Sequence, residues 1–183
     1  MSVLRYASLW SGGDGFISGD DRNYSAIAWA VVRWFQGNPD PSGAAPPGWG
    51  SNAYLLGTYT YTQMGLYSIF GPDPLVPIVL NVFVAGATIV LLYDLTRRLL
   101  GRDPAGLAAV AVALYPSLVL WSAMNLKDTM AILLVTVVFW SLDRFCRRPS
   151  WIPLLTAVLT IVLIESLRRY LYNGLAVLVV VGV

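Results

Sequence analysis

Near the N-terminus, Ser18-Gly19-Asp20-Asp21-Arg22-Asn23-Tyr24 places two adjacent carboxylates at the head of an apolar, Trp-containing segment. Two roles suit them. Aspartate is a good helix N-cap and complements the positive end of a helix dipole, although one Asp would suffice. A carboxylate at a membrane–water boundary, partly desolvated, is also a stronger base, able to take a proton from an attacking hydroxyl. A divalent metal held by Asp20 and Asp21 is a weaker variant, because two ligands are too few to define a site. No metal site and no cofactor is therefore assigned.

Three cations are the other candidates for chemistry. Arg168 and Arg169 directly follow an apolar segment. Glu165 stands i, i+3 and i, i+4 from them and can neutralise one; the second guanidinium is left for an anion, and its planar fork suits phosphate. Lys127, in Ser122-Ala-Met-Asn-Leu-Lys-Asp128, is either a side chain snorkelling to the interface or a third phosphate contact, and Asp128 beside it is a plausible N-cap. The chain has no His and one cysteine, Cys146. That excludes imidazole metal sites, His-dependent nucleophilic catalysis and an internal disulfide.

The elements that must position these residues belong to a membrane. Of 183 residues, 57% are hydrophobic and 12% charged, against about 25% charged in a soluble domain. The net charge of +2 gives no reason to expect nucleic acid. Spanning a bilayer takes about 20 apolar residues. Segments of about that kind run over residues 75–93, 105–121, 129–145 and 151–167, and a further apolar run starts at Leu171. Arg97, Arg98, Arg102, Arg144, Arg147 and Arg148 fall on one side of these spans; Lys127, Arg168 and Arg169 fall on the other. The richer side is expected to be cytoplasmic. Residues 1–74 then form an outer-side loop, with residues 75–183 as the membrane domain.

Within the loop, Tyr24, Ile27, Ala28, Val31, Val32 and Phe35 recur at helical spacing. They predict a surface helix over 22–36 with one apolar face. Residues 37–52 read as Pro/Gly-rich loop. Residues 53–70 read as a second interfacial helix, with Thr58-Tyr-Thr-Tyr-Thr62 alternating as a strand would. Asn81, inside the first span, is a candidate for a hydrogen bond to a neighbouring helix, and Pro116 is expected to bend the second span. Nothing visible exports the first 74 residues, and the run from Leu171 stops at the chain end. The chain therefore reads as a fragment, inactive by itself, with a transmembrane helix upstream and more spans downstream. The fold class is all-α, a polytopic transmembrane bundle with juxtamembrane helices.

Order and spacing of these motifs resemble the GT-C-type integral membrane glycosyltransferases, which include protein O-mannosyltransferases and aminoarabinose transferases. Asp20, Tyr24 and Ala28 match the family's outer Asp with Tyr four and Ala eight positions on, and Asp21 stands where the family often has Glu. Trp34-Phe-Gln-Gly-Asn-Pro39 resembles the Gly-containing end of that helix. Ile69-Phe-Gly71 resembles the family's aromatic turn before a span, and Arg97-Arg-Leu-Leu-Gly101 its basic loop. Tyr115-Pro-Ser117 resembles the end of its Ala-rich span, and Leu167-Arg-Arg-Tyr-Leu171 its outer Arg segment.

The resemblance implies transfer of a sugar, hexose or pentose, from a polyprenyl-phosphate donor to a lipid, glycan or protein acceptor on the outer face of a bacterial or archaeal cell membrane. It implies Asp20 as base or acceptor-orienting group, Asp21 as its partner, Tyr24 as a substrate contact, and Arg168 and Arg169 at the donor phosphate. Membrane lipids are the other expected partners. Two alternatives remain: an O-antigen polymerase or ligase, relying on outer arginines, and a transporter or permease subunit, which would favour charges near mid-membrane.

Overall fold

The computed structural model describes residues 19–38, 57–168 and 171–174, and every regular element among them is helical. In chain order these are α1 (Gly19–Phe35), α2 (Thr58–Phe70), α3 (Leu75–Leu100), α4 (Arg102–Ala113), α5 (Pro116–Ser122), α6 (Asp128–Arg147) and α7 (Trp151–Leu167). They fall into two compact units, residues 1–82 with 120–127 and residues 83–119 with 128–183.

In the first unit, α1 starts three residues ahead of the expected boundary. Asp20 and Asp21 occupy its first turn and Arg33 its last, the charge order a helix dipole favours. Its end is set by Gly37 at φ +74°. The Asn38 N–H reaches the Arg33 carbonyl at 3.0 Å and the Gly37 N–H reaches the Trp34 carbonyl at 3.2 Å, the paired bonds of a Schellman stop, which requires a left-handed residue. The alternating Thr58-Tyr-Thr-Tyr-Thr62 is helical. Its polar and aromatic residues divide between a buried side, with Tyr59, Thr60, Gln63 and Tyr67, and an exposed side, with Tyr61. α2 packs on α1 through Ala28, Val32 and Tyr67, flanked by Trp29, Met64 and Val76. The Ser25 and Tyr67 hydroxyls hydrogen-bond at 2.8 Å. Asp73 Oδ1 accepts the Leu75 N–H at 2.8 Å and so starts α3. Residues 39–56, which hold most of the expected loop, lie outside the described residues.

In the second unit, α6 and α7 form a helical hairpin around Val138 and Ile164, joined by Leu134, Val135, Leu142 and Ile161. The expected second span is two helices, α4 and α5, bent by 56°. The break falls at Pro116, whose ring removes a backbone donor and crowds the preceding turn. α3 and α6 are long and apolar enough to cross a membrane, and α4 with α5 would make a third span. α7 is a shorter apolar helix of 17 residues. Leu154, Leu155, Val158, Leu159 and Val162 on α7 are exposed, a contiguous apolar surface of the kind that lipid or further apolar elements cover. This is an integral membrane protein with an all-α fold. Of the run from Leu171, residues 171–174 are helical and the remainder lies outside the described residues.

Candidate functional site

The first unit is organised around Asn125, fully buried in the turn before α6. Its side-chain carbonyl accepts the Tyr59 hydroxyl at 2.7 Å and the Gln63 amide. Its amide nitrogen donates to the backbone carbonyl of Asp21 at 3.0 Å, and its backbone N–H donates to Asp21 Oδ1 at 3.1 Å. Asn81, on the first third of α3, holds the same turn from another direction. Its amide donates to the carbonyls of Met124 at 2.7 Å and Leu126 at 3.0 Å, and lies 3.1 Å from the Tyr59 oxygen. Thus α1, α2, α3 and the 123–127 turn are fastened by one buried polar network. A network of this kind specifies geometry because each broken contact strands a buried polar group.

The network separates the two aspartates. Asp21 has no exposed surface and is bound to the Asn125 turn. Asp20, one residue earlier on α1, is exposed and makes no hydrogen bond or ion pair among the described residues. One turn on, the Tyr24 ring meets Tyr59 edge-on at 5.6 Å. The Lys127 ammonium lies 5.6 Å above that same Tyr24 ring, within reach of a cation–π attraction. The head of α1 thus carries an exposed carboxylate and, one turn on, an aromatic ring that meets a cation.

Burial pushes the Tyr59 phenol well above the usual tyrosine range; hydrogen bonds from Asn81 and with Gln63 only partly oppose this, and the charge of Asp21 adds to it. The folded state keeps the phenol protonated while the unfolded chain ionises it near pH 10. The proton's contribution to stability is therefore complete below about pH 10 and is lost above it. Melting curves should show a decline in stability above that pH, and Tyr59→Phe should remove part of the decline.

The second unit corrects one expectation. Arg168 pairs with Asp128 at the start of α6, and Glu165 is exposed. The i, i+3 relation to Glu165 presupposes a continuing helix, but α7 ends at Leu167 and Arg168 is extended, with φ −149° and ψ 91°. Asp128 is accordingly an ion-pair partner within the first turn of α6. Arg169 lies outside the described residues. Among the described residues no cluster of three or more His, Cys, Asp or Glu side chains could hold a metal.

Asn125, Tyr59 and Gln63 were not singled out by sequence reasoning. The available signal was a polar Asn between Met124 and Leu126 and a Gln following a Tyr-rich run, in a chain where buried amides are costly.

Residues 58–181 match the family model of the dolichyl-phosphate-mannose-protein mannosyltransferases. No curated protein and no solved structure matches the chain.

Proposed function

The chain belongs to the dolichyl-phosphate-mannose-protein mannosyltransferase family, and from that premise we propose that it transfers a sugar from a polyprenyl-phosphate donor to a hydroxyl acceptor on the non-cytoplasmic face of the membrane. Family membership makes it a glycosyltransferase of the mannosyltransferase type, with a lipid-linked donor and a glycan or protein acceptor. The face, the acceptor and the residue roles are our assignment.

In this assignment Asp20 takes the proton of the acceptor hydroxyl as its oxygen bonds to the sugar's anomeric carbon. The bond from that carbon to the phosphate oxygen breaks, and polyprenyl phosphate departs with the developing negative charge. A fixed cation stabilises such a leaving group, and Lys127 is the cation we assign. Tyr24 holds Lys127 and lines the acceptor side. Asp21 positions Asp20 through the Asn125 turn. Arg168 and Arg169 are assigned to the donor phosphate by their place in the sequence. The observation that carries this reading is the Lys127–Tyr24 contact one helical turn from an exposed Asp20.

Membranes containing the full-length protein should move labelled mannose from a polyprenyl-phosphate carrier, and not directly from a nucleotide sugar. Direct use of the nucleotide sugar, or sugar flux into vesicles without transfer, would refute the assignment. Lys127→Met should raise the KM for the lipid-linked donor by roughly tenfold, the loss of one charge-assisted phosphate contact, with a smaller change in KM for the acceptor. Donor and acceptor titrations separate the two.

A further inference from the structure

In the second unit, Arg98, Arg144, Arg147, Arg148, Ser150 and Pro153 line a concavity of about 420 Å³. It gathers the end of α3, the end of α6 and the α6–α7 connection. Charges that only orient a span in the membrane need no fixed arrangement. These have one. Asp94 Oδ2 accepts the Trp140 indole N–H at 2.8 Å and Arg98 at 2.6 Å. The Arg144 guanidinium stacks on the Trp140 ring at 3.9 Å. Arg147 is held by Asp143 at 2.8 Å and donates to the Arg98 carbonyl at 2.9 Å.

The charges in this wall do not cancel. Arg98 and Arg147 are each in an ion pair with an aspartate, Asp94 and Asp143, whereas Arg144 meets the Asp94 charge only at longer range and Arg148 makes no ion pair among the described residues. At the same rim Ser150 is the N-cap of α7, and its side chain makes no capping bond. The wall therefore holds four arginines against two aspartates, and the surplus guanidinium charge is available to an anion, with planar forks that suit phosphate oxygens. Leu99, Leu100, Trp151 and Ile152, adjoining the lining residues in sequence, are exposed apolar side chains. A ligand with a phosphate head and apolar tails satisfies both features, whereas free phosphate satisfies only the first.

We propose that this arginine-lined cavity is a binding site for the headgroup of an anionic phospholipid. The site is separate from sugar transfer and stands or falls independently of it.

The test uses the full-length protein in neutral detergent. Phosphatidylglycerol, phosphatidylcholine and inorganic phosphate are titrated separately, with binding read by native mass spectrometry and thermal shift. Phosphatidylglycerol should bind at least about tenfold tighter than phosphatidylcholine, as the surplus positive charge of this wall near a lipid surface implies. Arg144→Gln/Arg148→Gln, which leaves both aspartate-paired arginines in place, should lose that preference. If the double variant does not fold, Arg148→Gln alone should reduce the preference several-fold, since Arg148 is exposed and makes no ion pair among the described residues. Equal binding of the two lipids, an unchanged preference in the variants, or inorganic phosphate binding as tightly as phosphatidylglycerol would overturn the proposal.

Discussion

Asp20→Asn is expected to lower sugar transfer by about a hundredfold to ten-thousandfold, the usual contribution of a general base, with the protein still accumulating in the membrane. The substitution keeps size and hydrogen-bonding capacity and removes only the basicity of the carboxylate. Asp20 is exposed, so little packing is disturbed. The loss should appear in kcat and in kcat/KM together, because the proton moves only as the reaction proceeds. Measurement at saturating donor and acceptor distinguishes this from weakened binding. Asp20→Glu, which retains a carboxylate one methylene longer, should recover a fraction of the rate. Full activity in Asp20→Asn would remove Asp20 from the chemistry.

Asn125→Leu has the largest expected effect on stability. It removes the acceptor shared by Tyr59 and Gln63 and the amide donor to the Asp21 carbonyl. Each stranded buried group costs about 1–3 kcal/mol, so three stranded groups cost on the order of 3 kcal/mol or more. For a chain of this size each kcal/mol is worth about 2–4 °C, and Tm should fall by about 10 °C. The backbone N–H that meets Asp21 survives the substitution, so the turn is loosened rather than lost. Lys127, two residues on, should then be less well held over Tyr24, and the donor KM should rise alongside the fall in Tm. Thr62→Val removes only a local bond to the Thr58 carbonyl and serves as the near-neutral comparison.

Much of the fold was legible in the sequence because membrane helices announce themselves by unbroken apolar length and surface helices by periodicity. α1, α6 and α7 fall within three residues of their expected limits, and Pro116 marks the break between α4 and α5. α3 runs to Leu100, past the apolar stretch that ends near Tyr93, because a helix continues through polar residues until a left-handed residue such as Gly101, at φ +98°, stops it. Local alternation in Thr58–Thr62 could equally have meant a strand. Packing of Tyr59, Gln63 and Tyr67 on one face selects the helix, and that preference is tertiary.

The proposed site draws on charged residues that the sequence displays and on a scaffold that it does not. Asp20, Tyr24 and Lys127 stand out in an apolar chain, and Tyr24 and Lys127 meet in the structure. Which aspartate is buried depends on Asn125, 104 residues away, and no local pattern reports a contact at that separation. The same limit explains Arg168. Glu165 is near in sequence, but Asp128, 40 residues earlier, is its ion-pair partner.

The division of labour between the two adjacent carboxylates is tested most directly by comparing Asp20→Ala and Asp21→Ala for Tm and for transfer rate in one preparation. Asp20→Ala should melt like the parent protein and be inactive. Asp21→Ala, which strips the acceptor from the Asn125 N–H, should melt several degrees lower while any folded fraction keeps measurable transfer. The reverse pattern, with Asp20→Ala active or Asp21→Ala inactive at unchanged Tm, would contradict it.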